Sequence, residues 1–474
     1  MAAPSHSHYD TVIIGAGMSG LAAGIRLALA GKRAVILEQH YAPGGLNGFY
    51  AIHGRKFDVG LHAVTNFTGP QDKHAPLSKL LRQLRIPREE WHLRPQNASC
   101  VCFPGETLRF GNGIELLESE VARAFPKRID AFRKLHADLM AWNDADLSHA
   151  ERPACAAIEE RLGDPVLSDM LLCPLFYYGS ARENDIDFNQ LATLWKALYA
   201  EGFARPPEGV RTLIHSLLDK YRALGGERRM HCKVEKLVCA GNRVQKIILA
   251  DGTELTADHV LSSAGLPETL ALCGQTPPPE TLSTLAYAET ISVLNRKPAE
   301  LGWDSTICFF NRAERFFYGR PDALVDEHSG VICFPNNYRY EPGDAAPQEG
   351  FLRITALANY ERWKVLDEAG YLAGKQESFM RLQHSAARFL GEGALQKIAA
   401  HTICTDMFTP LTVERFTGHT HGAVYGSPVK SREGRTSFEN LYLCGTDQGF
   451  LGIVGALLSG ISIANRYLVL PSGS

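Results

Sequence analysis

Several features are missing from this chain. It has no C-x-x-C pair and only one C-x-C, at Cys100 and Cys102, and its eleven cysteines are scattered over 474 residues. That usage suggests neither a disulfide framework nor a zinc site, and the thiols read as reduced and mostly buried, with no metal expected. No long basic run is present. Lysine and arginine number 49 against 52 acidic residues, a net charge of -3, so nothing electrostatic points to nucleic acid. The opening stretch MAAPSHSHYD lacks the basic and apolar regions of a secretory signal, which predicts a cytoplasmic chain. Internal repeats and low-complexity tracts are absent too. Only one apolar run, FLGIVGALLSGISIANRYLVL at 450–470, approaches the length of a membrane span. It carries Asn465, Arg466 and three glycines, and is expected to be a buried helix of a domain.

What is present is enough apolar sequence, 45% hydrophobic with 21% charged, to bury more than one core. The stretch TVIIGAGMSGLAAGIRLALAGKRAVILE, residues 11–38, reads as strand, glycine-rich turn, helix and second strand. Gly15, Gly17 and Gly20 give G-x-G-x-x-G, with Ala16, Met18 and Ser19 completing the turn. The three glycines act differently. Gly15 permits the tight turn, Gly17 lets backbone approach a pyrophosphate, and Gly20 allows close packing of helix on strand. The helix from about Met18 to Ala30 then aims its first N–H groups at phosphate. Gly31 closes that helix, and Glu38 at the end of the second strand is placed to accept hydrogen bonds from a ribose diol, with Gln39 beside it. An acid there disfavours a 2′-phosphate, which argues against NADP. No second copy of the motif follows, since GEGALQ at 391–396 lacks the third glycine.

The continuation QHYAPGGLNGFYAIHGRKFDVGLHAV carries Gly44, Gly45 and Leu46 ahead of a short strand pair. It resembles the extended fingerprint of glutathione-reductase-type flavoproteins, and the resemblance implies FAD. The expected architecture is α/β: a Rossmann-type FAD domain and a discontinuous α+β substrate domain with a helical insertion. The FAD domain is assigned 1–70, 205–270 and 430–474, and the substrate domain 71–204 and 271–429. Within 71–200, SKLLRQLRI, EVARAFPKRIDAFRKLHADLMAWNDAD and VLSDMLLCPLFYYG show apolar residues at helical spacing. VRTLIHSLLDKYRALGGE, at 210–227, is an amphipathic helix. After it come three short meander strands, with turns at Gly241-Asn242 and Asp251-Gly252, and then HVLSSAG as a further buried strand. In this class the residue at Val234 contacts adenine through its backbone. Strand-like runs GVICFPNN and FLRITALANY, with a helix near YLAGKQESFMRLQHSAARFLG, fit an antiparallel sheet with helices to one side.

Near the C-terminus, NLYLCGTDQGFLGIVGALLSG is similar to the second FAD motif of the same class. That likeness puts Gly445 and Asp447 near the pyrophosphate and ribityl chain, and Ile453 and Val454 at a helix N-terminus facing the flavin pyrimidine, where reduced flavin carries negative charge. TPLTVERFTGHTHGAVYGSP, LFYYGS and FDVGLHAV resemble segments of the phytoene desaturase, carotenoid isomerase and retinol saturase branch. The branch implies hydride transfer between FAD and an isoprenoid or polyene lipid drawn from a membrane on which the protein docks peripherally. One departure stands out: DQGFLGIVG replaces the HPGxGxPG type of loop found in desaturases, which puts desaturation itself in doubt. Candidates for a group beside the flavin are His62, His419, His421, Glu414 and Arg415, with His62 foremost. His419 and His421 form an H-x-H pair whose rings share one face if the segment is a strand. Phe176, Tyr177, Tyr178 and Phe203 are either plain core or the lining of an isoprenoid tunnel. Two other functions remain open: a flavin amine oxidase, for which only Phe450 offers an aromatic before the last helix, and a non-redox prenyl carrier similar to the Rab GDP-dissociation inhibitors, against which the intact glycines, Glu38 and Asp447 speak.

Overall fold

The computed structural model describes residues 8–60, 63–144, 146 and 149–469. The run TVII forms the middle of a parallel sheet in which Val12 and Ile13 are fully buried. Strand His8–Ile14 pairs with Ala34–Leu37 on one side and with Glu254–Ser262 on the other, and Glu227–Arg229 and Leu441–Leu443 extend the two edges. These strands are near-continuous hydrophobic runs because both faces of the sheet are covered. Helices Met18–Leu29, Val210–Ala223 and Gly452–Ile463 cover one face. The antiparallel meander Val234–Ala240, Arg243–Leu249 covers the other.

The meander differs from its sequence reading in one respect. The third meander strand and HVLSS are a single strand, Glu254–Ser262. Glu254 and Leu255 pair antiparallel with Ile248 and Ile247, whereas Thr256 onward pairs in parallel with His8–Ile14. The polar stretch TADH at 256–259 reads as an interruption because the strand there passes from a half-exposed meander into the buried sheet.

The two glycine-rich helices meet directly. A Cβ at Gly460 would lie 2.0 Å from the Ser19 carbonyl oxygen, so only glycine lets helix Gly452–Ile463 settle on the start of Met18–Leu29. The apolar run is therefore a largely buried helix from Gly452 to Leu468, and among the described residues no helix is long and apolar enough to cross a membrane.

A second, seven-stranded sheet has the order Thr402–Phe408, Ala286–Leu294, Gly350–Ala358, Ser329–Cys333, Ile307–Asn311, Ser99–Phe103, Glu106–Phe110. Helix Glu368–Ala387 lies on one face. The other face packs on helices Glu115–Ala124, Ile129–Ala141, Cys155–Leu162, Pro165–Gly179 and Phe188–Trp195. The segment read as a helical insertion thus also supplies a hairpin, Ser99–Phe110, to this sheet. Its signal is in SCVCFPGETLRF, two alternating runs about a Pro-Gly turn. The longest helical pattern is broken in two at Phe125-Pro126, where proline forbids continuation.

Candidate functional site

The carboxyl ends of the parallel strands open onto a cavity of about 1220 Å³, larger than the ~300–1,000 Å³ usual for small ligands. Ligands in open α/β sheets bind at this end. Of the residues singled out in the sequence, Gly15, Gly17, Met18, Ser19, Glu38, Gln39, Gly44, Gly45, Leu46, Val234 and Gly445 line it. Sequence reasoning missed Cys232, Ser263 and Thr446 in the lining. Ser263 directly follows strand Glu254–Ser262, and that strand-end position was its available signal.

The glycine turn has the geometry its spacing demands. Gly15 has φ +98°, and a Cβ there would lie 2.4 Å from Ser263 Oγ. At Gly20 a Cβ would sit 2.1 Å from the Gly15 carbonyl oxygen. Gly17, by contrast, faces space in which a Cβ would meet no protein atom within 4 Å. Helix Met18–Leu29 has no side-chain N-cap, so its orphan first-turn N–H groups are left for a ligand. The Glu38 carboxylate is held by N–H donors from Ala16 and His40, both at 2.8 Å.

Other predicted residues lie behind the wall. Ala16 is fully buried, and Ile453 and Val454 are buried while Ala456 reaches the lining. Asp447, 1% exposed, accepts hydrogen bonds from the Ser427 and Leu266 amides and lies 3.9 Å from Lys430 Nζ. Burial pushes the Lys430 ammonium down to about 8, with Asp447 pulling the other way. Asp447 thus ties together the turn after Cys444, the helix at Leu266 and the GSPVK loop.

The segment TPLTVERFTG forms helix Pro410–Thr417 and roofs part of the cavity through Thr412, Val413, Arg415, Phe416 and Thr417. It is fastened by Gln39 Nε2 donating to the Thr417 carbonyl at 3.4 Å and by the His40 and Phe416 rings, edge to face at 5.5 Å. Glu414 faces away, accepting from the Tyr360 hydroxyl at 2.8 Å. His419 lines the cavity, but His421 does not. The pair lies on a short turn with His421 at φ +60°, not on a strand, so the H-x-H spacing does not put both rings on one face. The His421 ring packs 4.9 Å from that of Tyr360.

His62 lies outside the described residues. Its upstream flank is fixed by buried charge. Asp58, 5% exposed, pairs with Arg205 and lies 3.6 Å from Arg211. The Asp58 and Val59 carbonyls accept from Arg353 Nη2 at 3.0 and 2.7 Å. Glu289 neutralises Arg353 and accepts from Thr355 Oγ1 at 2.9 Å. Such buried pairs are costly to break, about 3–5 kcal/mol when one partner is removed.

Phe176, Tyr177, Tyr178 and Phe203 sit together in the core between the second sheet and its helices. Tyr178 stacks on Phe203 at 5.0 Å, and the Tyr177 hydroxyl lies 2.8 Å from Ser329 Oγ. Tyr287, Tyr318 and the half-buried Phe316 and Tyr425 continue the same aromatic cluster. Leu451, the residue before the C-terminal helix, belongs to the same core and lies over Gly179.

The family described as flavin containing amine oxidoreductase matches residues 18–343. The chain is 27% identical over 359 residues to a phytoene desaturase (lycopene-forming) of Pseudescherichia vulneris, covering 69% of this chain and 72% of that one. It is 23% identical to an all-trans-retinol 13,14-reductase of Danio rerio, covering 98% and 87%. A solved oxidoreductase of Methanosarcina mazei shares the fold, with a TM-score of 0.66, 15% identity and coverage of 96% and 100%. The cofactor these findings support is FAD, and the open face at Gly17 and the uncapped helix start fit its diphosphate.

Proposed function

Because the chain belongs to the family of flavin-containing amine oxidoreductases, we propose that this oxidoreductase acts on an isoprenoid or polyene lipid, changing carbon–carbon double bonds by desaturation, saturation or isomerisation. Bound FAD supplies the hydride acceptor or donor. The glycine turn, Glu38, Gln39, Gly44 to Leu46, Val234 and Gly445 hold it, with Ala16, Gly20, Asp447, Ile453 and Val454 supporting them from behind. Residues of this chain then orient an apolar substrate, exclude water, and move at most one proton, for which His62 is the candidate.

The observation that carries this reading is the position of Leu451. The segment entering the C-terminal helix of the cofactor motif sends Leu451 over Gly179 into the core that also holds Phe176, Tyr177, Tyr287 and Tyr318, so the protein interior adjoining it is aromatic and hydrocarbon. A hydrocarbon chain is matched there. The names of the relatives point the same way. Peripheral docking on a bilayer belongs to the same reading, supported by Tyr41 and Phe416, exposed aromatics that line the cavity.

The test is an anaerobic titration of the FAD-loaded protein with phytoene, squalene and retinol-type lipids in liposomes, following the visible flavin bands. Bleaching identifies a desaturase. Conversion only after chemical reduction identifies a saturase or isomerase. His62→Gln is expected to slow either reaction while keeping the flavin bound. No binding or turnover of any such lipid, with peroxide release on polyamines, would overturn the reading in favour of an amine oxidase.

A further inference from the structure

Remote from the cofactor cavity, three thiols converge on the second sheet. Cys100 and Cys102 are two apart on strand Ser99–Phe103, which sends both side chains to one face. Cys308, on Ile307–Asn311, is the direct parallel partner of Cys100. The Sγ atoms of Cys308 and Cys102 are 3.5 Å apart, those of Cys102 and Cys100 3.7 Å, and all three lie within 4.8 Å of one another. Among the described residues no other group of three or more His, Cys, Asp or Glu converges in this way, and none of the three is in a disulfide.

Thiolates about 2.3 Å from a tetrahedral zinc stand roughly 3.8 Å from each other, so the two shorter separations already approximate ligand spacing. Ser305 Oγ, 3.5 Å from Cys100 Sγ, adds an oxygen on the same side. Access exists as well: Cys100 and Cys308 are buried, but Cys102 is partly exposed. Charge is also provided for. Three thiolates around a divalent cation leave one negative charge, and the exposed Arg109 is the cross-strand partner of Cys100 and shares its face.

We propose that Cys100, Cys102 and Cys308 bind one thiophilic d10 cation of the zinc(II) or copper(I) class. Each thiol gives up its proton to solvent on binding, and soft thiolates select such ions. The site's role is that of a staple. Ser99–Phe103 against Ile307–Asn311 is the one parallel pairing among the described strands of this sheet, and Cys102 and Cys308 are 206 residues apart in sequence. A metal there fixes the hairpin 99–110 to the sheet across a long loop. The C-x-C spacing alone could not announce the site, because its third ligand comes from another part of the chain.

The test uses the full, FAD-loaded protein, reduced and stripped of metal. Cobalt(II), as a spectroscopic stand-in for zinc, and zinc and copper(I) in competition with chromophoric chelators, are added in turn. Expected are about one equivalent per chain, thiolate-to-cobalt charge-transfer absorption with tetrahedral ligand-field bands, and a higher unfolding midpoint on loading, with the flavin spectrum unchanged. Cys102→Ser, the most accessible substitution, abolishes the charge-transfer band, and Cys404→Ser keeps it. Absence of uptake by the reduced wild-type protein overturns the proposal. So does a band that survives Cys102→Ser, or peptide mapping that finds these thiols as a disulfide in a chain that takes up no metal once reduced.

Discussion

Gly17 and Gly20 are three residues apart, yet alanine is expected to fail at each for an opposite reason. At Gly20 the new Cβ would lie 2.1 Å from the Gly15 carbonyl oxygen, 1.3 Å short of the 3.4 Å at which ordinary contact begins. The obstacle is backbone, so helix Met18–Leu29 must lift from the sheet, a strain of about 1–3 kcal/mol. That loss is felt whether or not FAD is bound. At Gly17 the backbone is extended, with φ -72° and ψ 178°, and the Cβ meets no protein atom within 4 Å. The weaker helix cap and the reduced freedom of the unfolded chain nearly offset each other, leaving apo-protein stability within about 0.5 kcal/mol of wild type. The methyl group instead occupies the space into which the phosphates fit. If it costs the same 1–3 kcal/mol there, FAD affinity falls about 5- to 150-fold. Urea unfolding of the apo-proteins and fluorescence titration with FAD separate the two effects. A Gly17→Ala protein as unstable as Gly20→Ala, or one that binds FAD like wild type, would refute the reasoning.

Two further outcomes follow from buried polar groups. Burial holds the Lys430 pKa at about 8 against an ordinary 10.5, so between these values the unfolded chain keeps a proton that the folded chain has lost. Stability should therefore rise with pH across that window, by roughly 3 kcal/mol from this residue; unfolding free energies of Lys430→Met should show a flatter slope there, and an unchanged slope would exclude the assignment. The Tyr178 hydroxyl is buried with no hydrogen-bond partner among the described residues, so Tyr178→Phe should hold or raise the unfolding midpoint. A clear fall would mean that the hydroxyl is bonded after all.

Much of the nucleotide sheet was legible because its signals are local. Gly15, Gly17, Gly20, Gly31 and Glu38 lie within one βαβ unit, and each constrains its own turn or cap. Gly44 to Leu46 and Gly445 were recognised through resemblance, and they reach the cavity beside that unit. Legibility ended where position depends on partners distant in sequence. Nothing around Asp447 announces that its carboxylate meets the amides of Leu266 and Ser427. His421 would align with His419 only on a strand, and positive φ at His421 breaks that alternation. The hairpin Ser99–Phe110 was hidden among helical patterns because its apolar runs are short, and only pairing with Ile307–Asn311 gives them a core to face. Arg353, Glu289 and Asp58 carry no local signal of burial, because each finds its counter-charge or carbonyl partners from another element.

The order of the parallel strands also has a meaning in time. His8–Ile14 emerges first, but its central neighbour begins 248 residues later, as the pairing of His8 with Thr256 shows. At ~5–20 residues per second, the first strand waits roughly 12–50 s on the ribosome with one edge unpaired, the kind of edge that invites aggregation. Such long-range parallel pairing is also intrinsically slow. The cavity is assembled from both ends of this wait, since Gly15 and Gly17 line it together with Ser263, Gly445 and Thr446. FAD can thus be gripped in full only when the last strand, Leu441–Leu443, has docked, and a ligand that binds only the finished fold pulls the folding equilibrium toward it. Flavin colour in a cell producing this protein therefore reports the chains that have both completed folding and loaded FAD, and a larger flavin supply raises their share.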